Sequence, residues 1–93
     1  MIVSASITAQ NNFTDWLEFD NARRFFNVSV SGTFSATVTV QRSYDGGSTP
    51  LDVKEYTAPA EEIGEHVETI VLYRIGVKTG DFTSGTVEVR LGY

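Results

Sequence analysis

The chain has 93 residues, 41% of them apolar, which is enough for one hydrophobic core and leaves no material for a second, so residues 1–93 are read as a single domain. A formal charge of −5 excludes binding that works by neutralising phosphates, and the lack of cysteine excludes disulfides and thiolate metal sites. A chain this short buries only somewhat more than about 60% of its unfolded surface, and without disulfides the expected reinforcement is oligomerisation.

Strand chemistry runs through the whole sequence, and no helix is expected. Residues 2–8 alternate, with Val3, Ala5 and Ile7 on one face and Ser4, Ser6 and Thr8 on the other. After Gln10-Asn11-Asn12, residues 13–19 form a second extended segment of uncertain inward face, closed by a turn at Asp20-Asn21. The clearest pattern follows: Phe26, Val28 and Val30 point one way in 25–31, and Phe34, Ala36, Val38 and Val40 do so in 34–42, which predicts a hairpin turning at Ser31-Gly32-Thr33. Residues 43–50 are rich in turn formers, 51–57 are extended with Val53 inward, and Pro59 ends that strand. The acidic stretch 61–68 is poorly periodic and reads as a connection with room for one helical turn or a short strand. Residues 69–78 place Val71, Tyr73, Ile75 and Val77 inward, 79–85 form a loop, and 86–93 close the chain with Val87, Val89 and Leu91 inward. About seven short antiparallel strands predict an all-β fold, a small β-sandwich of immunoglobulin-like or jelly-roll-like type.

Met1 leads directly into an alternating segment without a positive flank, and no apolar run is long enough to cross a bilayer, so the protein is expected to be soluble and made without secretion. The sequons at Asn12 and Asn27 are then accidental. Ser43-Tyr44-Asp45-Gly46-Gly47-Ser48-Thr49-Pro50 resembles the Asp-box of sialidase-type propellers, with Pro50 in place of the aromatic. Serine, aspartate and glycine in that order serve a turn, and one copy cannot supply a propeller. Asp52, Glu55, Glu61, Glu62, Glu65 and Glu68 could feed a calcium site but lack an ordered ligand spacing, and read instead as a solvated rim. His66 is the sole imidazole, and its neighbours Glu65 and Glu68 do not make a catalytic arrangement. No enzyme activity, cofactor or metal is therefore expected.

Apolar residues on faces that should be wet are more informative. Phe25 opposes Phe26, Tyr56 opposes Val53, and Ile70 and Leu72 share a face with Arg74 and Lys78. With the basic pair Arg23 and Arg24 and the terminal residue Tyr93, these form the candidate protein interface. A sugar-binding module is a different possibility, which would need a flat platform drawn from Trp16, Tyr44, Tyr56, Phe82 or Tyr93, but Trp16 is better read as core filler.

The runs Phe26-Asn27-Val28-Ser29-Val30-Ser31-Gly32-Thr33-Phe34, Val38-Thr39-Val40-Gln41-Arg42-Ser43 with Asp45-Gly46-Gly47, Tyr73-Arg74-Ile75-Gly76-Val77-Lys78-Thr79-Gly80 and Gly85-Thr86-Val87-Glu88-Val89-Arg90-Leu91, preceded by Phe13-Thr14-Asp15-Trp16, resemble small all-β virion proteins of tailed bacteriophages. The resemblance implies a structural protein of the virion, assembled in the host cytoplasm. It implies a capsid decoration or cement protein on the major capsid lattice, or else a tail or head-to-tail accessory protein. Expected partners are other virion proteins and further copies of the chain, with no nucleic acid and no membrane.

Overall fold

Branched and aromatic residues alternating with small polar ones produce two antiparallel sheets that face each other across one core. The structure, a computed structural model, describes residues 1–19, 24–65 and 70–93. Within them the strands are β1 (Ile2–Ile7), β2 (Asn12–Phe13), β3 (Leu17–Phe19), β4 (Phe25–Ala36), β5 (Val38–Ser43), β6 (Leu51–Tyr56), β7 (Ala60–Glu65), β8 (Val71–Val77) and β9 (Phe82–Gly92). The first sheet has the order β1-β9-β4-β7. The second runs β2-β8-β5-β6, and β3 also pairs with β8. Ile7, Phe26, Val28, Val30, Val87, Val89 and Leu91 of the first sheet meet Leu17, Phe19, Val38, Val40, Val71, Tyr73, Ile75 and Val77 of the second. Phe19 is the hub: its ring lies 4.8 Å from Phe26, 5.1 Å from Tyr73 and 5.0 Å from Tyr93.

The all-β sandwich is as the alternation predicts, but the expected central hairpin does not exist. Phe25–Ala36 is one continuous strand of the first sheet, and Val38–Ser43 belongs to the second. Gly32 marks a close approach within a strand where the sequence suggests a turn. Its φ is +100°, and a Cβ there would stand 2.4 Å from the carbonyl oxygen of Thr86 on β9. The chain changes sheets at Thr37, whose N–H donates to the carbonyl of Asp81 at 2.9 Å. That bond ties this crossing to the one between β8 and β9.

Of the two alternatives for the acidic stretch, the short strand is the one found: β7 pairs with β4 from Phe25–Glu65 to Val30–Ala60. Two further expectations are corrected. Residues 13–19 divide into β2 and β3, with Leu17 and Phe19 inward. In β6 the roles of Val53 and Tyr56 are reversed: Tyr56 is buried opposite Val38, while Val53 is left without an opposite residue where the β5–β6 register shifts between Val40 and Gln41. An extra residue of this kind breaks the period of two on which the inward assignment of Val53 depends.

Candidate interaction surfaces

Strand parity sends Phe25 to the outer face of the first sheet, since its neighbour Phe26 points into the core. Phe25 is opposite Glu65 and Asn27 is opposite Ile63, so Phe25 and Ile63 are diagonal neighbours on that face. They are 60% and 75% exposed. Charged groups surround them. Arg24 pairs with Glu65 at 3.3 Å, the Ser29 hydroxyl donates to Glu61 Oε2 at 2.7 Å, and Arg90 lies opposite Ser29 on β9. Periodicity does not single out Ile63, because its acidic stretch does not alternate. The signal that marks it in the sequence is a single large apolar residue among glutamates.

Ile63 also stands at the mouth of a cleft of about 320 Å³ on the open side of the sandwich, between β6 and β7. Phe26, Val28, Val40 and Tyr73 form its apolar floor, and Val53, Lys54 and Tyr56 form one wall. The Tyr56 hydroxyl donates to Glu62 across the cleft, and burial, reinforced by that carboxylate, pushes the phenol well above its ordinary range. Arg42 also lines the cleft, and its Nε is buried with no hydrogen-bond partner among the described residues.

The outer face of the second sheet is closed by its own side chains. The Arg74 guanidinium lies 4.0 Å from the Phe13 ring and 4.5 Å from Trp16. Its Nε donates to Gln41 Oε1 at 2.9 Å, Gln41 donates to Asp52 Oδ1 at 2.9 Å, and Lys78 meets Asp52 Oδ2 at 2.6 Å. The Lys78 and Gln41 bonds hold the Asp52 carboxyl below the usual carboxylate range. Trp16 is therefore a half-buried cover, packed between Arg74 and the 43–50 loop, where a Cβ on Gly47 would lie 2.8 Å from its Nε1.

The loop itself carries the turn chemistry expected of it. The buried Ser43 hydroxyl donates to Asp45 Oδ1 at 2.7 Å and accepts the N–H of Gly47 at 2.9 Å. The Asp45 carboxylate also accepts the N–H of Thr49 at 2.8 Å. Hydrogen bonds from the Thr49 side chain, the Ser43 hydroxyl and the Thr49 backbone lower the Asp45 carboxyl from an ordinary 3.8 to about 2. A carboxyl whose folded value is depressed adds stability above its unfolded value, and that stability is lost as pH falls through the folded value. Unfolding temperature should therefore show a loss between about pH 4 and pH 2 that is smaller in Asp45→Asn. Melting curves taken across that range check this, and identical acid profiles for the two proteins would remove Asp45 from the account.

The remaining interface candidates do not share one surface. Arg24 and Phe25 stand together with Ile63. Tyr56 is buried beside the cleft, and Tyr93 is half-buried against Phe19, its hydroxyl donating to the Glu18 carbonyl at 3.1 Å. Leu72 is half-buried on the outer face of the second sheet, opposite Glu18 and Ser43. Ile70 is 67% exposed but precedes β8 with φ +57°, so it does not share the strand face of Leu72. Arg23, His66 and Glu68 lie outside the described residues. Among the described residues no three His, Asp or Glu side chains gather as metal ligands. Comparison with protein-family models, curated proteins and solved structures finds no match.

Proposed function

We propose that the protein is a structural component of a tailed-bacteriophage virion, a capsid decoration protein that docks on the major capsid lattice through the outer face of its first sheet. The observation that carries this reading is the exposed pair Phe25 and Ile63, set among Arg24, Glu61, Glu65 and Arg90. Two large apolar side chains side by side in water gain from being covered, and a rim of both charge signs can fix the orientation of what covers them. The sequence resemblance to small virion proteins supplies the identity of the partner. Attachment to the tail or to the head-to-tail junction is the alternative within the particle. Each copy needs only a weak contact, because copies joined to one another bind a lattice with avidity.

The double variant Phe25→Ser, Ile63→Ser should weaken cosedimentation with capsids of the encoding phage by about a hundredfold, the loss expected when roughly 2–3 kcal/mol of apolar contact is removed. Its unfolding temperature should stay close to that of the parent, since both side chains are already exposed. A parent protein that binds glycans and ignores virions would reject the assignment.

A further inference from the structure

Among the described strands, the four sheet edges are defended unequally. β7 carries Glu61, Glu62 and Glu65, and β6 carries Asp52, Lys54 and Glu55 together with the irregularity at Val53. β2 and β3 are two and three residues long, flanked by Asp15 and Glu18. Charges, bulges and short strands are the devices that keep an edge from pairing with another chain. β1 has none of them. Ile2–Ile7 holds no charge, proline or glycine, and it pairs with β9 without a register shift from Ile2–Gly92 to Ile7–Val87. Among the described residues no strand lies on its other side.

We infer that β1 is the contact through which two copies of this chain pair edge to edge, extending the first sheet across a two-fold axis. A second copy suits the edge for two reasons. With a formal charge of −5 the copies repel each other broadly, and β1 offers a strip where they meet without opposing carboxylates. Antiparallel pairing of β1 with itself is also self-complementary, so it closes at two copies and consumes the free edge.

Parity fixes where the axis passes. Residues opposite one another in an antiparallel pair point to the same face, and Val3, Ala5 and Ile7 face the core side while Ile2, Ser4 and Ser6 face outward. Opposite residues must then both be odd-numbered or both even-numbered, and the axis runs through a residue, never between two. An axis at Ala5 sets Val3 against Ile7 and Ala5 against Ala5 on the core side, with Ser4 against Ser6 outside. An axis at Ser4 would leave Ile7 beyond the strand, opposite Met1. The Ala5 register is the one that keeps the core-side residues of the whole strand paired.

This contact does not depend on the virion reading, because it belongs to the isolated protein. The native chain has no cysteine, so single cysteines report cleanly. Under mild oxidation Ala5→Cys should form a disulfide-linked dimer, while Ser4→Cys, opposite Ser6 of the other copy, should not. Sedimentation should give twice the chain mass for the parent at sub-millimolar concentration. Ser6→Lys places an ammonium beside Glu88 of its own chain, which Ser6 already contacts at 2.8 Å, and opposite Ser4 of the other copy, with that copy's Arg90 one strand beyond. It should weaken dimerisation by about tenfold or more, since the two new ammonium groups, one on each copy, become diagonal neighbours across the seam, where like charges repel, and leave the unfolding temperature of the monomer unchanged. A parent that stays monomeric, a dimer indifferent to Ser6→Lys, or cross-linking of Ser4→Cys in preference to Ala5→Cys would overturn the inference. A dimer that fails to bind capsids would uphold this contact and reject the virion reading.

Discussion

Phe19→Ala is expected to lower the unfolding temperature by at least about 12 °C, combining ~3–5 kcal/mol for removing a buried phenylalanine with about 4–8 °C per kcal/mol in a domain of this size. The ring is fully buried and touches Phe26, Tyr73 and Tyr93, which come from both sheets and from the residue that follows β9. Its removal opens a void where the sheets are held together, and no neighbour can fill that void without abandoning another contact. Total stability for a domain is about 5–15 kcal/mol, so at the low end of that range the variant retains no more than about 2 kcal/mol. Thermal unfolding followed by far-ultraviolet circular dichroism gives the number. A fall of less than about 5 °C, under about 1.3 kcal/mol by the same conversion, would show that Phe19 is not the hub.

The second large effect separates two glycines that look alike in sequence. Gly32→Ala is expected to cost about 2–6 kcal/mol, the sum of ~1–3 for a disfavoured backbone conformation and ~1–3 for overpacking. Gly32 has φ +100°, and a new Cβ would press on the backbone of Thr86. Gly46 also has positive φ, at +74°, but nothing lies within 4 Å of where its Cβ would be. Gly46→Ala should therefore cost only the conformational part, about 1–3 kcal/mol. Chemical denaturation of the pair tests the difference. Equal losses would mean that backbone preference alone accounts for Gly32 and that β4 and β9 can move apart freely.

Phe26, Val28, Val30, Val38, Val40, Val71, Tyr73, Ile75, Val77, Val87, Val89 and Leu91 are all buried, as their period of two predicts. That much of the core is legible because burial on one side of a strand depends only on local parity. The partners of those strands are not legible, and the run from Phe26 to Val40 shows why. Both sheets face the same core, so a chain that crosses from one to the other at Thr37 keeps its inward residues inward, and the alternation continues with no mark of the crossing. A hairpin and a crossing read identically. Tyr56 and Val53 exchange places for a different reason, a register shift that only the pairing with β5 reveals. β7 was hidden because a strand exposed along most of its length has no reason to alternate. Of the interface candidates, Arg24 and Phe25 could be placed from the sequence since they adjoin a strongly periodic strand. Tyr93 could not, because its burial comes from Phe19, far away in the chain.

The crossing at Thr37 is one instance of a wider pattern. Among the described strands, β5 and β6 are the one consecutive pair that are also neighbours in a sheet. Every other ladder joins segments distant in the chain, so most contacts can form only after a long loop has closed and its entropy has been lost. Domains built this way fold in about milliseconds to seconds, far slower than helical ones of equal size. The bonds among Ser43, Asp45, Gly47 and Thr49 then have a meaning in time as well as in space. They close the one stretch of sheet that can assemble from its own neighbourhood, a ready edge against which the remote strands can find their register.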